Sequence, residues 1–353
     1  MKSSLFLLSL FITVDVIAQD YSQSIQQADS IVQAFVESTS LPGMSISVFH
    51  EDEMVWSKGY GYADVQNQIP VDPSLTKFRI GSVSKSLTAA GMGVLMQGGK
   101  LDPDELIQTY VPHFPEKEYP ITVKQVAGHL AGIRHYRGNE FMSNTLYETV
   151  DKGLEIFKDD PLLFEPGTRY QYSSYGWNLI SAVIAGASGE EFLPFMKEMV
   201  FDPNGMNNTV PEWSNRDIPN LTKFYVLGTY GNMEADAVDN SYKWAGGGFV
   251  GTTEDLIRFG IGMMDYEFIN ESVQEELMFP QETSDGRSTN YGMGWRFIEN
   301  NGRFWVGHSG GSVGGSTMFL INKQDRFIIA YAINRSSVGF DNLHFKVAEA
   351  FLE

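Results

Sequence analysis

The sequence predicts an α/β protein of the α+β type, in which one antiparallel sheet is assembled from both ends of the chain. Three observations support this fold class: alternating strand signals near the N-terminus, further strand signals near the C-terminus, and helical periodicity between them. We expect a sheet subdomain formed by about residues 19–100 and 241–353 and flanked by terminal helices. Residues 101–240, which are punctuated by prolines, are expected to form a mostly helical subdomain.

The first predicted elements are a helix and a hairpin. Apolar residues recur at helical spacing from Ile25 to Val36. Residues 44–48 then alternate between apolar side chains and serines, as expected for a half-buried strand. A second strand is expected from Met54 onwards, because an acidic turn separates it from the first. These two strands would begin the sheet.

The helix predicted at 82–97 is unusual because it contains two glycines. Gly91 and Gly93 each cost a helix about 1 kcal/mol relative to alanine, which indicates that another element packs closely against this backbone. Gly98 follows the last periodic residue and would end the helix. The remaining predicted helices are 121–132, 174–188, 253–265 and 340–353, and the remaining predicted strands are 303–308, 316–323 and 326–334.

The composition excludes several classes of function. The chain has 44 acidic and 25 basic residues and a formal charge of −19, so its surface repels nucleic acid and anionic lipid. It contains no cysteine, which excludes disulfides, a thiolate nucleophile and cysteine-ligated metals. His129 and His135 do not have a usual zinc spacing, and the glycines at 246–248 lack the Lys-Ser/Thr of a phosphate loop. We therefore expect no metal, cofactor or nucleic-acid partner.

The N-terminal segment has the features of a secretory signal peptide. A lysine precedes an apolar run from Leu5 to Val14, and small residues follow near Ala18. The run is about half of the roughly 20 residues that span a bilayer. We predict that residues 1–18 are cleaved and that the mature chain 19–353 has no membrane span and is secreted or periplasmic.

A Gly-x-Ser-x-Gly pattern centred on Ser309 raises the question of which serine is reactive. In an α/β-hydrolase this pattern forms a turn between a strand and a helix, and an acid and a histidine follow later in the chain. Asp325, Asp341 and His344 do follow Ser309. The residues directly after Ser309 are rich in glycine and β-branched side chains, however, and do not favour a helix. The remaining chain is also too short for the parallel units of such a sheet. We conclude that Ser309 is not the nucleophile.

Ser82 is the alternative nucleophile because Lys85 follows it by three residues at the predicted start of a helix. This spacing places both side chains on one face. An amine that burial and nearby positive charge keep neutral can take the proton of a hydroxyl group. The N–H groups at the start of the helix can stabilise a developing oxyanion.

Two other segments supply further polar groups. Tyr172 could pass a proton to a leaving group, although Tyr170 and Tyr175 are equally suitable by chemistry alone. His308, Ser309 and Gly310 end a predicted strand, whose edge could pair with an extended substrate.

Together these segments resemble the serine β-lactamase and penicillin-binding protein superfamily, and in particular its class C-like branch with the mitochondrial serine β-lactamase-like proteins. The stretches that carry the resemblance are "HLAGIRHY", "FEPGTRYQYSSYGWNLI", "VDNSYKWAGGGFVGT" and "GHSGGSVGG". The resemblance covers nearly the whole mature chain and implies a β-lactamase/transpeptidase-like fold. It also implies a serine hydrolase that acts through an acyl-enzyme on a small ester or peptide substrate. Self-association is left open.

The resemblance also implies roles for individual residues. Ser82 would be the acylated nucleophile, Lys85 its activating amine and Tyr172 the acid/base partner. The backbone N–H groups of Ser82 and Gly311 would form the oxyanion hole. The implied substrate-binding residues are Ser174, which replaces the asparagine of the penicillin-binding pattern, and His308, Ser309 and Gly310, which take the place of its Lys-Thr-Gly strand motif.

The histidine in the strand motif leads to a prediction about the substrate. With an ordinary pKa near 6.5, His308 would be largely uncharged at neutral pH and would attract a carboxylate weakly. We therefore expect a poor β-lactamase that prefers uncharged esters, amides or peptide segments. Two alternatives remain open, namely a D,D-peptidase that acts on cell-wall peptides and a catalytically silent binding protein on the same fold.

Overall fold

A computed structural model describes residues 20–266 and 268–353, so the predicted signal peptide at 1–18 lies outside the described residues. The strands are β1 (Gly43–His50), β2 (Glu53–Asp64), β3 (Ile69–Pro70), β4 (Phe78–Arg79), β5 (Val210–Pro211), β6 (Tyr225–Gly228), β7 (Gly231–Glu234), β8 (Phe249–Gly251), β9 (Arg296–Asn300), β10 (Arg303–Ser312), β11 (Gly315–Asn322) and β12 (Phe327–Ile333). The α-helices are α1 (Ser22–Thr39), α2 (Ser84–Gln97), α3 (Ile107–Tyr110), α4 (Val123–Ala127), α5 (Val150–Leu154), α6 (Ser174–Ser188), α7 (Phe192–Met196), α8 (Trp244–Gly247), α9 (Thr253–Met264), α10 (Glu271–Met278) and α11 (Leu343–Leu352). Tighter or wider helical turns span Gly81–Val83, Glu140–Met142, Lys197–Phe201 and Ser241–Lys243.

The main sheet joins the two ends of the chain, as predicted. Its seven strands lie in the order β3-β2-β1-β12-β11-β10-β9, and each pair of neighbours is antiparallel. The N-terminal hairpin meets the C-terminal strands where β1 pairs with β12, with Ile46 opposite Tyr331. The predicted α+β class is therefore confirmed.

Each face of this sheet is covered by a different set of helices. Leu320 and Ile329 belong to the apolar cluster formed with the terminal helices α1 and α11. Phe319 and Ile328 point the other way and belong to the larger cluster that contains the internal helices α2, α6 and α9. Because side chains alternate along a strand, this arrangement buries both faces of the central strands.

The prediction that β1 is half-buried is wrong, because all eight of its residues are buried. Ser45 and Ser47 face α9, and their hydroxyl oxygens lie 2.7 and 2.8 Å from Oγ1 of Thr253. A shared hydroxyl network thus satisfies polar groups that an alternating pattern would assign to solvent.

The close packing expected at the two glycines of α2 is confirmed. A Cβ atom at Gly91 would lie 2.9 Å from Sδ of Met196, and one at Gly93 would lie 2.8 Å from Cδ1 of Leu277. Neighbouring elements therefore enclose α2, and its Lys85 is fully buried.

The middle of the chain has one long helix, α6, whereas its other helical segments contain three to five residues each. Two of these segments are continuous, since α7 runs directly into the wide helical turn Lys197–Phe201. The helix predicted at 121–132 ends at Ala127, because His129 and Gly132 have φ angles of 65° and 76° and cannot continue it. Among the described residues, no single helix is long and apolar enough to cross a membrane. Helices Ser174–Ser188 and Phe192–Phe201 reach that threshold only as a pair, which is bent by 82°.

A second, three-stranded sheet with the order β4-β8-β5 was not expected from the sequence. Its strands have two or three residues and are too short to show an alternating pattern. A buried ion pair between Arg79 and Glu212, with 2.6 Å between Nη2 and Oε1, joins the strand before Ser82 to the chain just after β5.

Candidate active site

Ser82 lies in the 3₁₀ turn that leads into α2, and strand β10 packs directly against this turn. Gly81 has a φ of 52°, and a Cβ atom there would lie 2.7 Å from the backbone nitrogen of Gly311. A Cβ atom at Gly310 would lie 2.0 Å from the carbonyl oxygen of Ile80. Glycine at these positions therefore allows β10 to approach the backbone that carries the predicted nucleophile.

We expect Gly310→Ala to destabilise the protein by about 1–3 kcal/mol, because its methyl group would force β10 away from the turn at Ile80. Thermal unfolding monitored by circular dichroism measures this effect. Gly311→Ala is the matched control, since no described atom lies within 4 Å of a Cβ atom at that position. Equal melting temperatures for the two variants would contradict the packing argument.

The predicted catalytic side chains meet around the hydroxyl group of Ser82. Nζ of Lys85 lies 3.1 Å from Oγ of Ser82, and the Tyr172 hydroxyl donates to the same oxygen at 2.8 Å. Tyr170 and Tyr175 were equally suitable in the sequence. The Tyr175 hydroxyl donates instead to Glu140, and no hydrogen bond to Ser82 from Tyr170 is found in the described chain. The structure thus selects Tyr172 by position.

The environment of Lys85 favours a neutral amine. Burial lowers the pKa of Lys85 well below its usual value, and the positive charges of Lys243 and Arg296 lower it further. A neutral amine has two N–H donors and one lone pair. Nζ lies 2.5 Å from the carbonyl oxygen of Gly246 and 3.3 Å from Oγ of Ser174, which can accept the two donors. The lone pair then remains for the Ser82 hydroxyl proton.

The environment of Tyr172 favours a protonated phenol. Burial raises the pKa of Tyr172 above its ordinary value, and the hydrogen bond to Ser82 opposes this shift only in part. Lys85 is therefore suited to accept a proton at neutral pH and Tyr172 is suited to donate one.

Two histidines of the "HLAGIRHY" stretch hold the segment that carries Tyr172. Nδ1 of His129 accepts from the Ser173 backbone N–H at 3.1 Å, and Nδ1 of His135 accepts from the Ser174 backbone N–H at the same distance. The His129 ring packs against the Tyr172 ring with 4.3 Å between their centroids. Burial holds the pKa of His129 well below its usual value and lowers that of His135 to about 4, so both rings remain neutral acceptors.

A pocket of about 260 Å³ opens above Ser82. The predicted site residues that line it are Ser82, Tyr172, Ser174, His308, Ser309 and Gly311. Lys85 lies beneath the pocket, fully buried. Gly310 does not line it, so we correct its predicted role from substrate binding to backbone packing. Within residues 20–266 and 268–353, no group of three His, Asp or Glu side chains is arranged to hold a metal ion.

His308 lines the pocket, but the protein occupies both of its ring nitrogens. Nδ1 lies 2.6 Å from the carbonyl oxygen of Ser309, which can only accept, so Nδ1 carries the proton. Nε2 then accepts from the Tyr291 hydroxyl at 3.0 Å. Burial holds the pKa of His308 well below its usual value, and the charge of Arg296 lowers it further. The ring is neutral, as expected, and it offers no free polar atom to a substrate.

The position of Ser309 does not fit a nucleophile elbow. It lies within β10, which a turn connects to the strand β11 and not to a helix. The later residues that could have served a triad are engaged elsewhere. Asp325 pairs with Arg303, Asp341 pairs with Lys346, and Nδ1 of His344 lies 3.2 Å from the Tyr331 hydroxyl oxygen. In the described chain the Ser309 hydroxyl has no hydrogen-bonded base, so it can contact a substrate but is not activated.

Two cations of the pocket, Lys243 and Arg296, were missed by the sequence analysis. Lys243 lies in the "VDNSYKWAGGGFVGT" stretch, where a lone cation between apolar and glycine residues was a usable signal. Arg296 begins β9 and carried no comparable signal.

The prediction of an uncharged substrate assumed that the charge of His308 determines whether the pocket attracts a carboxylate. With two other cations in the pocket, that conclusion no longer follows.

The fold and the arrangement of serine, lysine and tyrosine define a protein of the β-lactamase/transpeptidase-like class. The structure superposes on the D-amino acid amidase from Ochrobactrum anthropi with a TM-score of 0.82 and 20% identity, over 94% of this chain and 99% of that one. It also matches the octameric penicillin-binding protein homologue from Pyrococcus abyssi, with a TM-score of 0.78 and 23% identity, over 93% and 77% of the two chains.

The chain belongs to the beta-lactamase family, whose model matches residues 28–350. The human mitochondrial serine beta-lactamase-like protein LACTB is 29% identical over 94% of this chain and 80% of its own length. Penicillin-binding protein 4* of Bacillus subtilis is 26% identical over 85% of this chain and 70% of its own length. These matches confirm the resemblance seen in the sequence.

Proposed function

We propose that this protein is a serine hydrolase that cleaves ester, amide or peptide bonds through an acyl-enzyme on Ser82. The observation that carries the proposal is the placement of Lys85 and Tyr172 on the same hydroxyl oxygen, at 3.1 and 2.8 Å. One partner has a lowered pKa and the other a raised pKa, so a base and an acid flank the nucleophile.

Acylation begins when Oγ of Ser82 attacks the substrate carbonyl carbon and its proton moves to Nζ of Lys85. The backbone N–H groups of Ser82 and Gly311 would stabilise the oxyanion that forms. When the intermediate collapses, the bond to the leaving group breaks and the Tyr172 hydroxyl protonates that group. The proton held by Lys85 then restores the phenol, which leaves the ester on Ser82 and a neutral amine.

Deacylation repeats these steps with water as the nucleophile. Water attacks the ester carbonyl and gives its proton to Nζ of Lys85. The Ser82 oxygen then leaves and takes a proton from the Tyr172 hydroxyl, and the proton held by Lys85 restores the phenol. The product carboxylic acid then departs.

The relatives support two substrate classes. The D-amino acid amidase named above supports amide cleavage, whereas the Bacillus subtilis penicillin-binding protein favours the second candidate, a D,D-peptidase on cell-wall peptides. Ser174 lacks the amide side chain of the penicillin-binding pattern, which favours the first class. Export to the periplasm or medium remains a prediction that rests on the N-terminal segment alone.

A fluorophosphonate probe tests whether the protein is a hydrolase or a silent binding protein. We expect stoichiometric labelling of the folded protein and none after heat denaturation, because the probe needs an activated hydroxyl group. A folded protein that stays unlabelled would support the binding protein. A panel of 4-nitrophenyl esters, amino acid amides, D-Ala-D-Ala peptides and a chromogenic cephalosporin then ranks the substrate classes, and dominant turnover of the D-Ala-D-Ala peptides would favour the second candidate.

A further inference from the structure

We infer that Lys243 binds a carboxylate carried by the acyl part of the substrate, so that the preferred acyl groups end in a carboxylate. This inference rests on the proposed hydrolase function and names the substrate class of the same pocket.

Lys243 carries a buried amine without a hydrogen-bond acceptor among the described residues. The residue is 2% exposed, and its Nζ has no hydrogen-bond partner among the described residues. It lies 4.4 Å from the ring centroid of Phe141, 5.1 Å from that of Tyr242 and 5.7 Å from that of Tyr136. Aromatic faces attract an ammonium group but do not accept its three N–H donors. A buried amine whose N–H donors all lack an acceptor is costly, which indicates a ligand, and a carboxylate ligand would hold this amine in its charged form.

The acidic groups nearest to Lys243 are already engaged. Both carboxylate oxygens of Glu212 accept from Arg79, and one of them also accepts from Asn240. The oxygens of Asp239 accept from the hydroxyl groups of Ser214 and Ser241. Burial and, to a smaller extent, the charge of Arg79 lower the pKa of Lys243 to about 7, whereas the charges of Glu212 and Asp239 oppose this shift. No protein carboxylate accepts a hydrogen bond from Lys243 in the described chain, so an anion from the substrate can do so.

The two basic side chains of the pocket, Lys243 and Arg296, lie beside different aromatic rings. Arg296 lies beside Tyr172 and Tyr291, with 5.9 and 5.8 Å between its guanidinium carbon and their ring centroids. Lys243 lies instead beside Tyr136 and Phe141, which also line the pocket. Because Tyr172 protonates the leaving group in the proposed mechanism, we infer that the leaving group lies on the side of Tyr172, which Arg296 borders. The acyl group then extends towards Lys243.

The lining beside Lys243 suits a short apolar chain with an anionic tip. Tyr136 and Phe141 offer aromatic surface to methylene groups, and Lys243 is the cation beyond them. A pocket of about 260 Å³ lies just below the usual range for drug-sized ligands, so it admits a short dicarboxylic acyl chain and not a long lipid.

Paired substrates that differ only in charge test the inference. We would compare the mono-4-nitrophenyl esters of glutaric, adipic and pimelic acid with the matching esters that end in a carboxamide. For at least one chain length, wild-type kcat/KM is expected to favour the carboxylate about tenfold or more, as for one charge-assisted hydrogen bond. Lys243→Met should abolish this ratio and Lys243→Arg should keep part of it. Arg296→Met should retain the ratio, because Arg296 borders Tyr172 on the inferred side of the leaving group.

A ratio that survives in Lys243→Met, or that is lost in Arg296→Met and not in Lys243→Met, would overturn the inference. Circular dichroism establishes that each variant is folded.

Calorimetry with the unreactive monoanilides of the same diacids, titrated into Ser82→Ala, separates this inference from the proposed function. If no ester is hydrolysed above the Ser82→Ala background, the hydrolase proposal fails. If the monoanilides bind Ser82→Ala and do not bind the double variant that also carries Lys243→Met, the carboxylate site is still supported. If they do not bind Ser82→Ala, or bind both proteins equally well, the carboxylate site is refuted.

Discussion

Replacing Ser82 with alanine is expected to lower kcat/KM for 4-nitrophenyl esters by about 10⁴-fold or more, to near the background rate. The variant keeps the pocket but lacks the oxygen that Lys85 and Tyr172 both contact. In serine hydrolases, loss of the nucleophile leaves only the contribution of the oxyanion donors and of substrate binding. Initial rates of nitrophenolate release, corrected for spontaneous hydrolysis, measure the effect.

Ser309→Ala is the matched control, because both serines lie in the same pocket and either could be chosen from sequence patterns. Its expected effect on kcat/KM is less than about tenfold, since it removes at most one substrate hydrogen bond. Ser309→Ala should also still react with the fluorophosphonate probe, whereas Ser82→Ala should not. The reverse result, with Ser309 essential and Ser82 dispensable, would refute the assignment of the nucleophile.

Lys85→Met is expected to lower kcat by about 10²- to 10⁴-fold, which is the usual contribution of a general base. Methionine has nearly the same length as lysine and can occupy the buried space without a proton-accepting group. In the wild type, kcat/KM should rise with pH through the pKa of Lys85 and should already be high at neutral pH, because burial lowers that pKa well below 10.5. A wild-type activity that appears only near pH 10 would contradict this role.

The same substitution should change how stability depends on pH. In the unfolded chain Lys85 regains an ordinary pKa, so near neutral pH unfolding takes up a proton that the native amine does not hold. The wild type therefore loses stability relative to Lys85→Met as the pH falls from about 10 towards 7, by more than about 1 kcal/mol. Urea denaturation of both proteins at the two pH values measures the difference. A constant difference would mean that the native amine remains protonated.

Short-range patterns in the sequence predicted the parts of the fold whose signals are periodic. Helix α6 begins and ends at the predicted residues, Ser174 and Ser188. The three C-terminal strands lie where alternation and β-branched residues placed them, and β1 pairs with β12 as a sheet built from both termini requires. The prediction failed where neighbours overrode the local pattern, as at the buried serines of β1 and at His129, whose left-handed backbone ends the predicted helix at 121–132.

For this protein, the sequence by itself determined the fold class, the Ser82–Lys85 pair and the family, because these depend on spacings within one helix or strand and on long matching stretches. The tertiary structure brought the Tyr172 hydroxyl, which the resemblance had implied, to Ser82. It alone decided that Gly310 packs against Ile80 and that Lys243 and Arg296 enter the pocket. These features join residues that are dozens to hundreds of positions apart. Such contacts leave no periodic trace in the chain, since they depend on how whole elements pack and not on the local order of residues.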